Sequence, residues 1–214
     1  PFTIVGLVEH TNDGLVSMLS VFALVLFASP LASGALLGLA AAAKFSPAGL
    51  LPLIASPRQR GIKGALLCVS AFGAVVAAAI LLWLPPQGLG YFWQRTIGYQ
   101  MTRADVFSPW ALHPSLHPVQ TALEVLAVGL VLTLAFVPRE RSLAGVCALA
   151  GAVTIAVQLP AVHWYYYYIM WFLPFALVAM LVRTSAAPEP VSGEVAATEW
   201  LIGEEQAEPA LAAT

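Results

Sequence analysis

From residue 62 to residue 84 the chain reads IKGALLCVSAFGAVVAAAILLWL, with Lys63 as its one charged side chain. A helix this apolar has no polar face to turn toward water, and at 1.5 Å per residue about 20 residues cross the hydrocarbon core of a bilayer. Comparable apolar segments occupy residues 14–28, 31–55, 119–137, 143–159 and 164–182. Only 9% of the 214 residues are charged and 60% are hydrophobic, whereas soluble domains carry about 25% charged residues. The fold expected is all-α, a polytopic transmembrane helical bundle over residues 1–183. Its partner is the membrane, with no role for nucleic acid.

The remainder, residues 184–214, holds six glutamates (Glu189, Glu194, Glu199, Glu204, Glu205 and Glu208) and no Lys or Arg. Rich in Ala, Pro and Glu and without a sustained apolar face, it reads as a disordered acidic tail. The opening PFTIVGLVEH has neither an initiator Met nor a basic leader, and is expected to be the interior of a longer polytopic protein. Residues 1–8 then read as the end of an earlier helix.

Basic residues orient the segments. Arg58, Arg60 and Lys63 lie between the second and third, Arg139 and Arg141 between the fourth and fifth, and Arg183 after the sixth. With these on the cytoplasmic side, the loop 85–118 is outside with only Arg95 and Arg103. The tail is then cytoplasmic, and HWYYYYIMW (163–171) supplies the aromatic belt of the outer surface.

The second segment contains AAAKFSPAGL, in which Lys44 is followed three residues later by Pro47. A lysine at the centre of a bilayer costs roughly 2.5–3.5 kcal/mol, and a proline inside a helix about 3 kcal/mol relative to alanine. Both costs fall if the segment is a re-entrant pair of half-helices, 31–43 and 47–55, with Ser46 capping a new helix at Pro47. Irregular backbone at such depth is tolerated where it is buried in protein or lines a wet cavity. Lys44 is read either as a lysine that snorkels or pairs with a carboxylate, or as an anion site helped by the adjacent helix start.

The remaining motifs are weaker. GYFWQRTIGYQM (90–101) has the spacing of a helix lying on the membrane surface. Arg95 and Arg103 beside it are either snorkelling side chains or phosphate partners. His113 and His117 are four apart, but Pro114 and Pro118 argue against one continuous helix holding a metal between them. His163 is an interfacial histidine or a donor to a phosphate or sugar. Asn12 and Asp13 end the polar stretch EHTND and read as helix capping. Glu124 is an intramembrane carboxylate in need of a partner. Gly34 and Gly38 form a GxxxG, which in membranes marks close helix packing. Cys68 and Cys147, both in apolar runs, read as buried thiols.

Together SGALLGLAAAAKFSPAGLLPLIASPRQRG (33–61), YFWQRTIGYQMTRADVFSPW and HWYYYYIMWFLPF resemble glycosyltransferase family 87, mannosyltransferase-like members of the GT-C superfamily that use polyprenyl-phosphate sugars. The chain departs from the family in reading His10-Thr-Asn12-Asp13 where many members have Gly-Gln-x-Asn. The resemblance implies transfer of a sugar, such as mannose, from a polyprenyl-phosphate carrier to a lipid or glycolipid hydroxyl at the extracytoplasmic face of the cell membrane. It implies phosphate binding by Lys44, Arg95, Arg103 and His163. The catalytic carboxylate of such enzymes falls in the first outer loop, expected upstream of Pro1, which leaves Asp13 and Asp105 as fallback candidates. No metal or other cofactor is expected. The alternatives are a transporter or lipid flippase, and a non-catalytic membrane subunit.

Overall fold

The structure is a computed structural model that describes residues 12–102, 108–137, 142–162 and 168–184, and every regular element among them is helical. The chain divides into two units, Pro1–Met180 and Leu181–Thr214. Of the second, residues 181–184 are described, and they are helical.

Helix α1 (Asp13–Val25) and helix α2 (Pro30–Ala43) form an antiparallel hairpin. The start of α2 follows from its sequence: Ser29 Oγ accepts from the Ala32 N–H, and Pro30 takes the first turn, where its missing N–H costs nothing. Ser33 Oγ donates to the Ala23 carbonyl near the hairpin turn. At the open end Asn12 Nδ2 reaches the Ala43 carbonyl.

At Lys44 the backbone is extended (φ −153°, ψ 139°) and the helix stops. A 3₁₀ turn, Ser46–Leu50, then runs into the short helix α3 (Leu51–Ile54), followed by α4 (Pro57–Leu82). The direction of this piece settles whether residues 31–55 cross or return. Gly34 of α2 lies against the Cys68 carbonyl of α4, and Gly38 against Phe72 and Val75. Matching positions thus advance together, and α2 and α4 run parallel. A chain that leaves α2 at one end and enters α4 at the other must double back in between. The segment therefore doubles back as a hairpin, with the break at Lys44–Pro47 that the spacing predicts. The expected cap differs: Ser46 Oγ makes no capping bond, and Phe45 precedes the turn with helical φ and ψ. The break is made by the extended Lys44 and by Pro47, which has no N–H to continue the ladder.

The two glycines explain the closeness of α2 and α4. A Cβ at Gly34 would collide with the Cys68 backbone, and one at Gly38 would press on Phe72 and Val75. The GxxxG is a packing device, as expected. Gly61 (φ +68°) breaks the start of α4, setting off the turn that holds Arg58 and Arg60.

Beyond α4 come α5 (Gly88–Trp93), a π turn (Gln94–Gly98) and α6 (Tyr99–Thr102), which together cover the helix expected over residues 90–101. Helix α7 (Pro109–Leu112) and a 3₁₀ turn lead into α8 (His117–Thr133). Helices α9 (Leu143–Gln158) and α10 (Ile169–Thr184) complete the described residues. Helices α8 and α9 are antiparallel, because Gln120 near the start of α8 donates to the Pro160 carbonyl just beyond α9.

The core lies around the returning leg of the hairpin. Leu53 is 1% and Ile54 0% exposed, and they pack with Leu37, Val153, Cys147 and Phe175. Irregular backbone is thus placed where protein surrounds it. The outer faces are the reverse. Helix α4 and the stretch Pro114–Thr133 are long and apolar enough to cross a membrane, yet their side chains are mostly exposed, Leu82 being 77% so. Apolar helices buried in a soluble core have no such surface, and by length and composition these two are a sign of association with a membrane. Helices α1, α2, α9 and α10 are apolar but shorter than a full span. The sequence places six apolar segments; two of the described helices reach spanning length.

Candidate functional site

The antiparallel α1–α2 hairpin sets the N-terminus of α1 beside the C-terminus of α2. A helix start favours an anion and a helix end favours a cation. Asp13 opens α1, and Lys44 caps α2. Lys44 Nζ lies 2.6 Å from Asp13 Oδ1, and each charge sits at the helix end that favours it.

Helix α10 closes the site. Trp171 Nε1 donates to the same Asp13 Oδ1 at 2.7 Å. Tyr168 and Trp171, one turn apart, stack with centroids 4.6 Å apart. Lys44 Nζ stands 5.2 Å and 5.1 Å from their ring centroids, within cation–π range. The Asp13 side chain is 0% exposed and that of Lys44 27%. Asp13 Oδ2 is buried without a hydrogen-bond partner among the described residues, an arrangement that costs about 1–3 kcal/mol or more for a charged group. The pair therefore holds its cation firmly, against a carboxylate and two aromatic rings, in a side chain that is only partly buried.

The two readings of Lys44 are resolved in one respect: it is paired with a carboxylate, and that carboxylate is Asp13. Glu124, a candidate partner from sequence, is exposed on α8. Arg95 is exposed and donates from Nε to the Tyr91 hydroxyl one turn earlier, with its guanidinium 5.2 Å from that ring. It does not join the Lys44 cluster. Arg103, Asp105 and His163 lie outside the described residues. His113 falls between α7 and the 3₁₀ turn and His117 begins α8, so no single helix carries both. Cys68 and Cys147 are free and buried.

Sequence reasoning missed Tyr168 and Trp171 as neighbours of Lys44. The hairpin held the missing signal for Asp13: two helices of 13 and 14 residues joined by a short turn bring the first residue of one to the last of the other. The aromatic spacing i, i+3 in HWYYYYIMW points to one helix face, though not to which partner it meets.

Phe45, next to Lys44 in the chain, lines an apolar groove of about 860 Å³, walled also by Ala41, Phe72, Val76, Trp83 and Trp93. The groove runs between the hairpin tip, α4 and α5. A second pocket of about 320 Å³ lies by Trp110, Gln158 and Phe172. Around it, Trp110 Nε1 donates to the Leu159 carbonyl and Gln158 Nε2 to that of Tyr168, which tie α7 to the end of α9 and that end to the start of α10.

No protein-family model matches this chain, and neither a curated protein nor a solved structure is significantly similar to it.

Proposed function

We propose that this chain is part of a multi-pass membrane glycosyltransferase that takes a sugar from a polyprenyl-phosphate carrier and transfers it to a lipid or glycolipid hydroxyl. The observation that carries this reading is the hairpin tip, where one residue is a paired cation and the next lines a long apolar groove. A lipid phosphate needs both: a hydrocarbon channel for its chain and positive charge for its head. Arg58, Arg60 and Lys63 lie at the opposite end of α2 and α4. The positive-inside rule thus favours an extracytoplasmic position for Lys44.

In this mechanism the acceptor oxygen attacks the anomeric carbon as its proton passes to a carboxylate. The carbon–oxygen bond to the phosphate breaks, with inversion. Lys44 steadies the charge that builds on the departing phosphate. Asp13, fully buried and bonded twice at Oδ1, serves as the counter-ion that positions Lys44. The base is then another carboxylate, with Asp105 the candidate on the outer loop. Metal-independent chemistry is part of the proposal.

The test is transfer of radiolabelled sugar from a polyprenyl-phosphate carrier by membranes containing the full-length protein. Label is expected in a lipid or glycolipid product that is separable from the carrier. A second reading, a transporter, is favoured by the broken helix, a device transporters also use; transport with no transfer would establish it instead.

A further inference from the structure

A second polar feature lies directly below the ion pair. Asp13, Ser17 and Ser20 form one stripe of α1, and Ser17 and Ser20 line a small space of about 10 Å³ with Ser46, Thr154, Trp171 and Phe175. Four hydroxyls from three separate elements meet there: α1, the hairpin tip and α9. Three have spent their protons. Ser17 Oγ donates to the Met170 carbonyl, Ser20 Oγ to that of Val16 and Thr154 Oγ1 to that of Ala150, each at 2.8 Å. Their lone pairs remain to accept. Ser46 Oγ is buried and has no hydrogen-bond partner among the described residues.

We infer that this cavity is a single-water site that anchors the tip of the hairpin at Lys44–Pro47. Its volume matches one water, and polar cavities with two to four partners are the ones that hold water. The hydrogen-bond count also balances. One water accepts the Ser46 proton and donates its own two protons to two of the three remaining hydroxyl oxygens. A small cation would find four neutral oxygens, and the neighbouring carboxylate, Asp13, is already neutralised by Lys44. A neutral guest with two protons to give is the better match. The water then joins the tip to α1 and α9, independently of any substrate the protein handles.

The experiment is a map of the full-length protein in lipid nanodiscs that resolves buried waters, together with melting curves in sodium, potassium and choline chloride at equal ionic strength. Expected are one density peak about 3 Å from Ser46 Oγ and the same melting temperature in all three salts. Thr154→Val, which keeps the shape and removes the hydroxyl, is expected to weaken the peak and lower melting by about 2–4 °C. A dry cavity in a map showing other buried waters overturns the proposal. So does melting raised in sodium or potassium over choline, which makes the site a cation site. The wild-type map and salt series decide the matter even if the variant does not fold.

Discussion

Two cations lie at opposite ends of α2, and the chain treats them differently. Lys44 meets a carboxylate and two aromatic faces, with part of its side chain toward solvent. Arg60 meets only structural partners. Its Nε donates to the Ile54 carbonyl at 2.6 Å, its Nη2 to Ser33 Oγ at 3.1 Å, and its guanidinium covers the Phe27 ring at 3.9 Å. The fork of an arginine suits that task, because one planar group reaches the end of α3, the start of α2 and the turn after α1 together. Ser56 Oγ adds a bond to the Ala135 carbonyl at the same end. Arg60 is a clip between a backbone carbonyl, a hydroxyl and a ring, whereas Lys44 is neutralised by a carboxylate.

The contrast can be broken most forcefully at the ion pair. Lys44→Met or Asp13→Ala alone should lower stability by about 3–5 kcal/mol, because each leaves one charge uncompensated. The double variant Asp13→Leu/Lys44→Met should recover most of that loss in a denaturant titration, since an apolar pair can replace a buried ion pair at little cost. Sugar transfer should be absent in both. Transfer at the wild-type rate by the folded double variant would remove Lys44 from the proposed mechanism.

A smaller effect is expected at the other end. Arg60→Met should cost about 2 kcal/mol, the range for hydrogen bonds to a charged group, and leave transfer per folded molecule unchanged. Arg60→Lys should recover less than half, because an ammonium cannot span the same acceptors and stack on Phe27. Smallest is Trp171→Phe, which keeps the stack on Tyr168 but removes one of the two donors to the Asp13 carboxylate. A loss at the low end of the range for charged groups, about 1.5 kcal/mol, is expected, read by the same titration.

Much of the fold was legible from local chemistry. Ser29-Pro30 marks the start of α2, Pro47 forbids its continuation, and the GxxxG at Gly34 and Gly38 announces a close neighbour. The helix over residues 90–101 was legible from its apolar spacing. What was not legible is pairing at a distance. Asp13 reads as a cap, because nothing near it in sequence carries a positive charge, and its partner comes from the far end of the next helix. Trp171 reads as part of an aromatic belt, because aromatic residues at a membrane surface need no further reason. Its indole N–H is fixed instead by the approach of α10 to α1. Ser46 reads as a cap by composition, but the extended backbone at Lys44 moves the start of the turn and leaves that hydroxyl buried.

The returning leg of the hairpin has a consequence for the order of assembly. Leu50, Leu53 and Ile54 are finished early in synthesis, but the side chains they pack against, Leu134, Val146, Val153 and Phe175, are made much later. Gly49 likewise faces Val131, Val153 and Val157. Until α8, α9 and α10 emerge, the leg has the earlier members of the cluster, Ala23 and Leu24 of α1, Leu37 of α2 and Cys68 of α4. Those contacts of the hairpin can form only after α8, α9 and α10 have been made.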